Sequence, residues 1–566
     1  MTVGLVGGGP ARDAVEAALA DVDADTGAVE AGEVGTVDVA VVVGECGADA
    51  FERANAVARD AGVRWLAVEL GGVGGAPVAD AAVAGFSPET ACYECLRGRV
   101  AANREGTGGS GATPPPQTAR FAGAVAGRAL AGHLSGGADP FGRVVEVGSG
   151  TVERELLGLP GCGCGSEPDR TLDRSAVDRE VEAALARAER GVDERVGLVR
   201  EVGEAESFPV PYYLARVCET GRFSDASAEP QAAGVDADWN PAFMKALGEA
   251  LERYCAGVYR RSALPRALPG DLDSAVPPSA FVCRDEPDVT APLYWVEGEA
   301  LESGESAYLP AALALHPPPS ERFRPPLTTG LGLGNGTVGA LLAGLYEVLE
   351  RDATMLSWYS TFEPLGLSVD DEVVETLTAR ARSEGLSVSL SLLTQDVDVP
   401  VVAAAVHREE WPRFALGSGA ELDAAAAARS ALAEALQNWM ELRGMGPEAA
   451  REESGAIGRY ADGPPSVEEF VEPESTVPAS SVSADVSGEA ELEAVLDRLA
   501  DAGLEGYAAR LTTRDVASLG FEAVRVLVPD AQPLFLGESY FGQRAATVPG
   551  DLGFEARLDR EHHPFP

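Results

Sequence analysis

Hydrophobic residues in the first hundred positions form short apolar runs that alternate with longer segments of helical spacing. Runs of roughly four to eight apolar residues predict strands, and apolar residues that recur every three or four positions predict helices. Strand, helix and strand in succession are typical of a parallel sheet with crossover helices. The start of the chain therefore predicts a Rossmann-like unit with strands at 3–6, 37–43 and 63–70 and helices at 11–20 and 51–61.

The pattern beyond position 100 completes this unit and then opens a larger one. The elements that complete the first unit are a Gly/Pro-rich loop or linker at 105–117, a helix at 120–134 and a strand hairpin at 143–156. A charged helix is predicted at 172–190. The later strands are predicted at 196–202, 281–282, 387–392, 401–406 and 521–528. We expect an α/β (α+β) fold with domains at 1–170 and 171–566.

Three predicted helices of the second region combine an apolar body with polar side chains three positions apart. The pairs are Glu249 and Glu252, Glu347 and Glu350, and Glu434 and Gln437. Residues three apart on a helix share a face, so each helix presents its pair from one side. Three such helices would line a cavity with carboxylates and few counter-charges, which is costly unless a cation fills it. Magnesium bound to a nucleotide is the expected cation.

Four of the eight cysteines form two close pairs, Cys92 with Cys95 and Cys162 with Cys164. Two such pairs suit a tetrahedral zinc site, although the second pair is CxC and the commoner knuckle is CxxC. Four thiolates leave no open position, so the predicted zinc is structural. Free or paired thiols are the alternative.

The acidic residues are spread along the whole chain. Asp and Glu number 90 against 44 Lys and Arg, the net charge is −46, and Lys245 is the sole lysine. This composition resembles that of cytosolic proteins from extreme halophiles, in which an acidic surface serves solubility; attraction of a basic partner is the alternative. The chain has no run of about eighteen apolar residues and no basic N-terminal region. We expect a cytoplasmic protein that binds neither membrane nor nucleic acid.

Several segments resemble, in order, the signatures of YcaO-domain proteins of the fused cyclodehydratase type, and the resemblance covers nearly the whole chain. The three helix segments similar to that family's signatures are LGEALERY at 247–254, GLYEVLERDA at 344–353 and RSALAEALQ at 429–437. Asn335 lies twelve residues before Glu347, as in the family's glycine-rich approach to the second signature. The final HPFP at 563–566 is similar to the proline-rich end of cyclodehydratases.

The N-terminal part is similar to the ThiF-like (ubiquitin-activating-enzyme-like) domain that accompanies YcaO. ACYECLR at 91–97 resembles its first zinc knuckle, and GCGC at 161–164 stands where the second belongs. In that family this domain has lost adenylating activity and serves docking. The glycine pattern agrees: after Gly7, Gly8 and Gly9, the third glycine of a GxGxxG motif would fall at Arg12, so we expect a nucleotide-free turn.

The resemblance implies that ATP is bound through magnesium, a cation that prefers hard oxygen ligands. The residues implied to bind ATP or magnesium are Lys245, Glu249, Glu252, Arg253, Asn335, Glu347, Glu350, Arg351, Glu434 and Gln437. The implied catalytic residues are Pro564 and Pro566 of the tail, which reaches the active site in cyclodehydratases. Lys245 replaces a serine of the first signature and is either a point charge for phosphate or an (i, i+4) partner of Glu249. Arg253 and Arg351 either bind phosphate or neutralise the adjacent glutamate.

The implied reaction is ATP-dependent modification of a peptide backbone. A Cys, Ser or Thr side chain attacks the preceding carbonyl, the oxyanion is phosphorylated, and phosphate elimination leaves a thiazoline or oxazoline. Thioamidation or thiolation of a protein or RNA component is a second hypothesis, and a non-catalytic peptide-binding scaffold is a third. Gly339 and Trp439 stand where the family often has glutamate and arginine, which either weakens metal and phosphate binding or marks a variant subgroup.

The expected substrate partner is a precursor peptide or protein. The Rossmann-like strand begins at residue 3, so a peptide-clamping winged helix is not expected before it, and a separate leader-binding protein would recognise any leader. A flavin dehydrogenase is a further possible partner, and a homodimer is the expected assembly.

Overall fold

The computed structural model describes residues 1–104, 114–319, 323–452 and 456–566. Positions 105–113 of the predicted linker lie outside these ranges. The strands are β1 (Thr2–Val6), β2 (Asp25–Ala28), β3 (Val39–Glu45), β4 (Arg64–Leu70), β5 (Ala81–Phe86), β6 (Arg143–Val147), β7 (Thr151–Glu155), β8 (Val199–Glu206), β9 (Tyr212–Val217), β10 (Gln231–Val235), β11 (Arg266–Ala267), β12 (Leu293–Ala300), β13 (Ser306–Pro310), β14 (Leu331–Gly334), β15 (Leu365–Ser368), β16 (Ser387–Leu392), β17 (Val401–His407), β18 (Phe414–Ala420), β19 (Thr476–Pro478), β20 (Tyr507–Arg510) and β21 (Glu522–Leu527).

The helices follow the apolar periodicity of the sequence. They are α1 (Pro10–Leu19), α2 (Asp49–Ala61), α3 (Tyr93–Ala102), α4 (Pro116–Leu134), α5 (Val181–Ala188), α6 (Trp239–Gly257), α7 (Ala311–Ala314), α8 (Thr337–Trp358), α9 (Glu372–Ser383), α10 (Ala424–Glu452), α11 (Ala456–Tyr460), α12 (Glu468–Val471), α13 (Glu489–Asp501), α14 (Arg514–Leu519) and α15 (Gln543–Asp551). Within α10 the helical geometry breaks at Gly446, directly before Pro447. No helix in the described ranges is both long enough and apolar enough to cross a membrane.

The first sheet confirms the Rossmann-like prediction. Its strand order is β2-β1-β3-β4-β5-β6-β7, in which the first four strands are parallel and the later ones antiparallel. The predicted strands and helices of this region are all present. The sequence pattern missed β2 because this short strand at the sheet edge has no fully buried residue.

Three further sheets form the rest of the fold. Their strand orders are β10-β9-β8, then β11-β12-β20-β21-β14 with β13 paired to β12, and β18-β17-β16-β15-β19. The predicted strands at 387–392, 401–406 and 521–528 are confirmed. The prediction at 281–282 is wrong, since these residues form no strand, and the predicted helix 172–190 is helical only as α5 and the 3-10 turn Glu189–Gly191 that follows it.

The three polar-pair helices lie against these sheets. Helix α6 covers β10 and contacts β14, α8 covers β14 and β21, and α10 covers β17 and β18. Helix α8 is apolar almost all round, and Leu341 and Leu345 are fully buried. Each fully buried Leu side chain contributes about 1.5–3 kcal/mol to folding. The packing therefore fixes the three helices, and their glutamates lie close to one another.

Candidate nucleotide and metal sites

The structure brings the glutamates of α6, α8 and α10 into one cluster. Glu347 of α8 lies at the centre of this cluster. Burial is the main cause that raises the pKa values of the other four glutamates, and the charge of Glu347 raises each of them further; these are Glu249, Glu252, Glu350 and Glu434. One Glu347 carboxylate oxygen (Oε2) accepts a hydrogen bond of 2.9 Å from the Gly330 amide. Only glycine fits there, since Gly330 has φ +88° and a Cβ atom would lie 2.2 Å from the Val526 carbonyl oxygen.

On α6, Glu249 is neutralised and Glu252 is not. Glu249 accepts a 2.6 Å hydrogen bond from the Ala233 amide and forms a 2.6 Å ion pair with Arg253. Burial and the carboxylates of Glu347 and Glu249 raise the pKa of Glu252 to about 8. Arg253 thus neutralises its neighbouring glutamate in this structure, whereas burial strongly disfavours the ionised form of Glu252.

Ser418 of β18 joins the second and third helices. Its hydroxyl donates to Glu350 at 2.7 Å, and its backbone amide donates to Glu434 at 2.6 Å. Arg351 lies 3.5 Å from Glu350 and also contributes to the charge balance of Glu434. Burial raises the pKa of Glu434 to about 7, and Arg351 limits this rise. Sequence reasoning missed Ser418, because a serine in an apolar strand carries no motif signal.

One arginine that the motifs did not indicate adds a buried positive charge beside the glutamates. Arg525 of β21 is 1% exposed, donates to the Thr328 and Leu327 carbonyls at 2.9 Å, and lies near Glu347 and Glu252. Burial and the nearby Arg324 lower the pKa of Arg525 to about 9. The positive charges found among the five glutamates are thus Arg253, Arg351 and Arg525, so the counter-charges are fewer than the carboxylates.

A cavity of about 440 Å³ opens beside the α6 carboxylates. Its polar lining comes from Arg179, Lys245, Glu249, Glu252 and Asn335. The side-chain oxygen of Asn335 is buried and has no hydrogen-bond partner within the described ranges, while Arg179 donates to the Asn335 carbonyl at 3.3 Å. Ligand cavities typically measure about 300–1,000 Å³, so the size suits a small molecule.

Lys245 and Gln437 contact the cluster only indirectly. The amine of Lys245 lies 2.7 Å from Asp236, so the predicted pairing with Glu249 is replaced by Arg253. The Gln437 amide donates to Glu441 at 3.0 Å, and Glu441 accepts a 2.8 Å hydrogen bond from a tyrosine of β9, Tyr212.

The two departures from the family pattern have different surroundings. A Cβ atom on Gly339 would meet nothing closer than Gly334 Cα at 3.8 Å, so the position is open. Trp439 is fully buried between the guanidinium groups of Arg408 and Arg443, which lie 4.9 and 4.7 Å from its ring. Trp439 is thus a core residue of α10.

The tail ends close to the cluster. Arg351 donates to the main-chain oxygen of Pro566 at 3.0 Å. Pro564 is buried, and Phe565 is fully buried against Phe470 with ring centroids 5.9 Å apart. His563 is fully buried and bonds the Phe535 carbonyl at 2.8 Å. These contacts hold the last residues beside Arg351.

The four predicted cysteines form one cluster. The sulfur atoms of Cys92, Cys95, Cys162 and Cys164 all lie within 4.8 Å of one another. The sulfur of Cys92 lies 3.9 Å from that of Cys95 and 3.6 Å from that of Cys162, and the sulfurs of Cys95 and Cys164 are 3.4 Å apart. Four sulfurs about 2.3 Å from a tetrahedral zinc are about 3.8 Å apart, so the cluster fits zinc. Arg514 donates to Cys164 and Cys95 at 3.1 and 3.4 Å and balances the thiolate charge.

The glycine turn after β1 has a packing explanation. Gly7 has φ +88°, and a Cβ atom there would lie 2.2 Å from the Val43 carbonyl oxygen. The Arg12 guanidinium donates to the Gly7 carbonyl at 2.9 Å and lies over the turn. The absence of a nucleotide at this turn stays a prediction.

The carboxylate cluster has the chemistry of a magnesium–nucleotide site. Carboxylate oxygens suit magnesium, and the buried Asn335 side-chain oxygen is a further acceptor to which no described residue donates. Burial, together with the neighbouring carboxylates, raises the pKa values of Glu252 and Glu434, so a bound cation would favour their ionised forms.

Comparison with solved structures matches nearly the whole chain. A heterocyclase in complex with substrate and cofactor has a TM-score of 0.75 at 20% identity, covering 98% of this chain and 83% of its own. The heterocyclase TruD has a TM-score of 0.68 at 19% identity, covering 99% and 82%. The fold is therefore that of a ThiF-like N-terminal part followed by a YcaO part.

Sequence comparison gives the family. An uncharacterised protein of Methanothermobacter thermautotrophicus is 30% identical over 341 residues, which are 55% of this chain and 84% of that protein. An uncharacterised protein from the region 3′ of tfuA in Rhizobium leguminosarum bv. trifolii is 30% identical over 195 residues, covering 31% and 44%. The family model described as YcaO cyclodehydratase, ATP- and Mg2+-binding, matches residues 233–532, which include all three carboxylate helices. The chain belongs to the YcaO family.

Proposed function

We propose that this protein is an ATP-dependent cyclodehydratase that converts Cys, Ser or Thr residues of a peptide into thiazolines or oxazolines. The observation that carries the proposal is the convergence of glutamates from α6, α8 and α10 around Glu347, with Arg351 and Arg525 among them. Structural cores rarely concentrate so many carboxylates, because burial of each anion is costly. A bound cation–phosphate ligand explains the cluster.

Within this proposal, magnesium would be held by Glu252, Glu347, Glu350 and Glu434. When bound, the ion shields the phosphate charge. The cations of the cavity, Lys245 and Arg179, would face the phosphates, and Asn335 would offer its unpartnered oxygen. Glu249 and Arg253 pair with each other and would shape the wall. Gln437 would influence the nucleotide site through its hydrogen bond to Glu441, which is bonded in turn to Tyr212.

The proposed reaction couples loss of water to ATP. The substrate's thiol or hydroxyl loses its proton to solvent and attacks the preceding carbonyl carbon, and the resulting oxyanion takes the terminal phosphoryl group of ATP, releasing ADP. The nitrogen of the same amide then loses its proton and forms a C=N bond, while the C–O bond to the phosphate breaks and phosphate leaves. Arg351 holds the Pro566 main chain beside the cluster, so Pro564 and Pro566 are proposed to border the reacting peptide.

The remaining roles follow the domain division. We propose residues 1–170 as a docking domain with structural zinc at the four cysteines, and residues 171–566 as the catalytic domain. The substrate is a peptide or protein, and a separate leader-binding protein, a flavin dehydrogenase and a homodimeric assembly remain predictions.

The test is ATP turnover with Cys-, Ser- or Thr-containing peptides in concentrated potassium chloride, which suits the −46 charge. Wild type should release phosphate and yield a peptide lighter by one water, and Glu350→Ala should do neither. A sulfur-for-oxygen exchange that requires added sulfide would identify thioamidation instead. Equal background phosphate release by both proteins with every peptide would support a scaffold.

A further inference from the structure

One charged pair is entirely buried far from solvent. Arg99 and Asp515 are both 0% exposed and form an ion pair. The Tyr254 hydroxyl donates to Asp515 at 2.7 Å and lies 3.1 Å from an Arg99 nitrogen. Thr513 donates its hydroxyl to the second Asp515 oxygen at 2.5 Å, and the Val516 amide bonds the same oxygen at 2.9 Å. Every oxygen of this buried carboxylate thus has a partner.

The pair joins segments that are distant in sequence. Arg99 lies on α3, one turn after the metal-site residue Cys95. Asp515 follows Arg514, the residue that donates to the sulfurs of Cys95 and Cys164. Tyr254 lies on α6, directly after Arg253 and two residues after Glu252. The network therefore runs from the cysteine cluster to the helix that carries the first two glutamates.

Helical geometry makes Tyr254 a determinant of where Glu252 points. Residues two apart on a helix are separated by about 200°, so Tyr254 and Glu252 face opposite sides of α6. Tyr254 is 0% exposed, and its hydroxyl has two fixed partners. Fixing that side chain fixes the rotation of α6 and therefore the direction of Glu252 toward the cavity.

Because the Arg99–Asp515 pair is buried, the geometry of its hydrogen bonds is tightly constrained. A charge held in a low-dielectric interior is tolerated only when its hydrogen-bond partners are well placed. Displacement of α6 would lengthen the Tyr254–Asp515 hydrogen bond and leave the aspartate with one partner fewer. The network thus resists rotation or sliding of α6 more strongly than apolar contacts, which tolerate small shifts.

We infer that Asp515 is a positioning residue, which acts through the Tyr254 hydroxyl to orient α6 for magnesium–ATP. The inference rests on the proposed function, because it concerns the same nucleotide site. Arg514 extends the same connection to the cysteine cluster.

The experiment compares two tyrosines whose hydroxyl groups each donate one hydrogen bond. Tyr254→Phe removes the hydroxyl that bonds Asp515, whereas Tyr259→Phe, just beyond α6, removes one that donates to the Pro317 carbonyl at 2.9 Å. Magnesium–ATP affinity is measured by calorimetry in full-length protein, together with zinc content and melting temperature. Tyr254→Phe should weaken ATP binding about three- to tenfold, the equivalent of one hydrogen bond, at unchanged zinc content. Tyr259→Phe should leave ATP affinity unchanged.

A double-mutant cycle then separates positioning from general stability. Asp515→Asn alone should weaken ATP binding, because it removes the charge of the group that accepts from Tyr254, and adding Tyr254→Phe should cause less than an additive further loss, because both changes act on one contact. Independent, additive losses, or equal ATP affinity in wild type and Tyr254→Phe, would overturn the positioning role alone. Failure of the wild type to bind ATP at all would overturn the proposed function and, with it, this inference.

Discussion

Replacing Glu252 by glutamine should stabilise the ligand-free protein while abolishing its nucleotide binding. Glu252 lies inside the cluster, and burial with the Glu347 and Glu249 carboxylates raises its pKa to about 8. Glutamine has nearly the same shape and carries no charge at any pH. Glu252→Gln therefore removes the cost of ionising this side chain and also removes a ligand proposed for magnesium.

The magnitude follows from the pKa. An unfolded chain has lost the Glu252 proton above pH 4.5, whereas the folded protein keeps it up to about pH 8, so folding stability falls as pH rises through this window. One pKa unit corresponds to about 1.4 kcal/mol, which gives an upper limit of about 4 kcal/mol at pH 8 and less than about 1 kcal/mol at pH 5. Relaxation of the neighbouring glutamates lowers this limit, and we expect about 2 kcal/mol at pH 8.

The assay is thermal unfolding without nucleotide at several pH values between 5 and 8, in concentrated potassium chloride. The melting temperature of Glu252→Gln should exceed that of wild type by about 2 °C or more at pH 8, and the difference should nearly vanish at pH 5. Glu493→Gln, an exposed glutamate of α13, is the matched control and should match wild type throughout. A variant less stable than wild type at pH 8, or a difference independent of pH, would refute this reasoning.

Four further outcomes are expected. Magnesium–ATP affinity should rise from pH 6 to pH 8 and then level off, and calorimetry should show proton release on binding. The reason is that the pKa values of Glu252 and Glu434 are about 8 and 7, and magnesium requires the ionised carboxylates. An affinity that does not change with pH would contradict this. Ser418→Ala should weaken ATP binding about tenfold, since a hydrogen bond to a charged group is lost; unchanged affinity would remove Ser418 from the site. Cys92→Ser should lower bound zinc measured by metal analysis, and substoichiometric zinc in wild type would contradict the assignment. Gly339→Glu should fold normally, and its free energy of unfolding should rise by up to about 0.5 kcal/mol, because glutamate has a higher helix propensity and a Cβ atom fits at this position. A marked loss of stability would show that the position is not open.

The parts of the site that the sequence predicts lie on long periodic helices. In α6 and α8 the apolar positions define the buried faces, so the spacing of Glu249 with Glu252 and of Glu347 with Glu350 fixes which side chains point together. The cysteine cluster is predictable for a related reason, because short-range chelating pairs are visible in sequence.

The parts that the sequence misses come from strands and loops. Ser418 and Arg525 lie in apolar strands, where a single polar residue gives no indication of its distant partner. Arg179 reaches the cavity from the segment before α5, where a charged helix was expected. Lys245 pairs with Asp236, outside its helix, so local (i, i+4) spacing predicts the wrong partner. Tertiary contacts decide all four.

The central claim is that the glutamate cluster binds magnesium–ATP. Calorimetric titration of magnesium–ATP into wild type, Glu350→Gln and Glu493→Gln tests it most directly, because Glu350 belongs to the cluster and Glu493 is exposed elsewhere. The account predicts that wild type and Glu493→Gln bind alike, and that Glu350→Gln binds at least about tenfold more weakly, as expected for a lost charged contact. Equal affinity in all three proteins, or no magnesium-dependent binding by wild type, would contradict it.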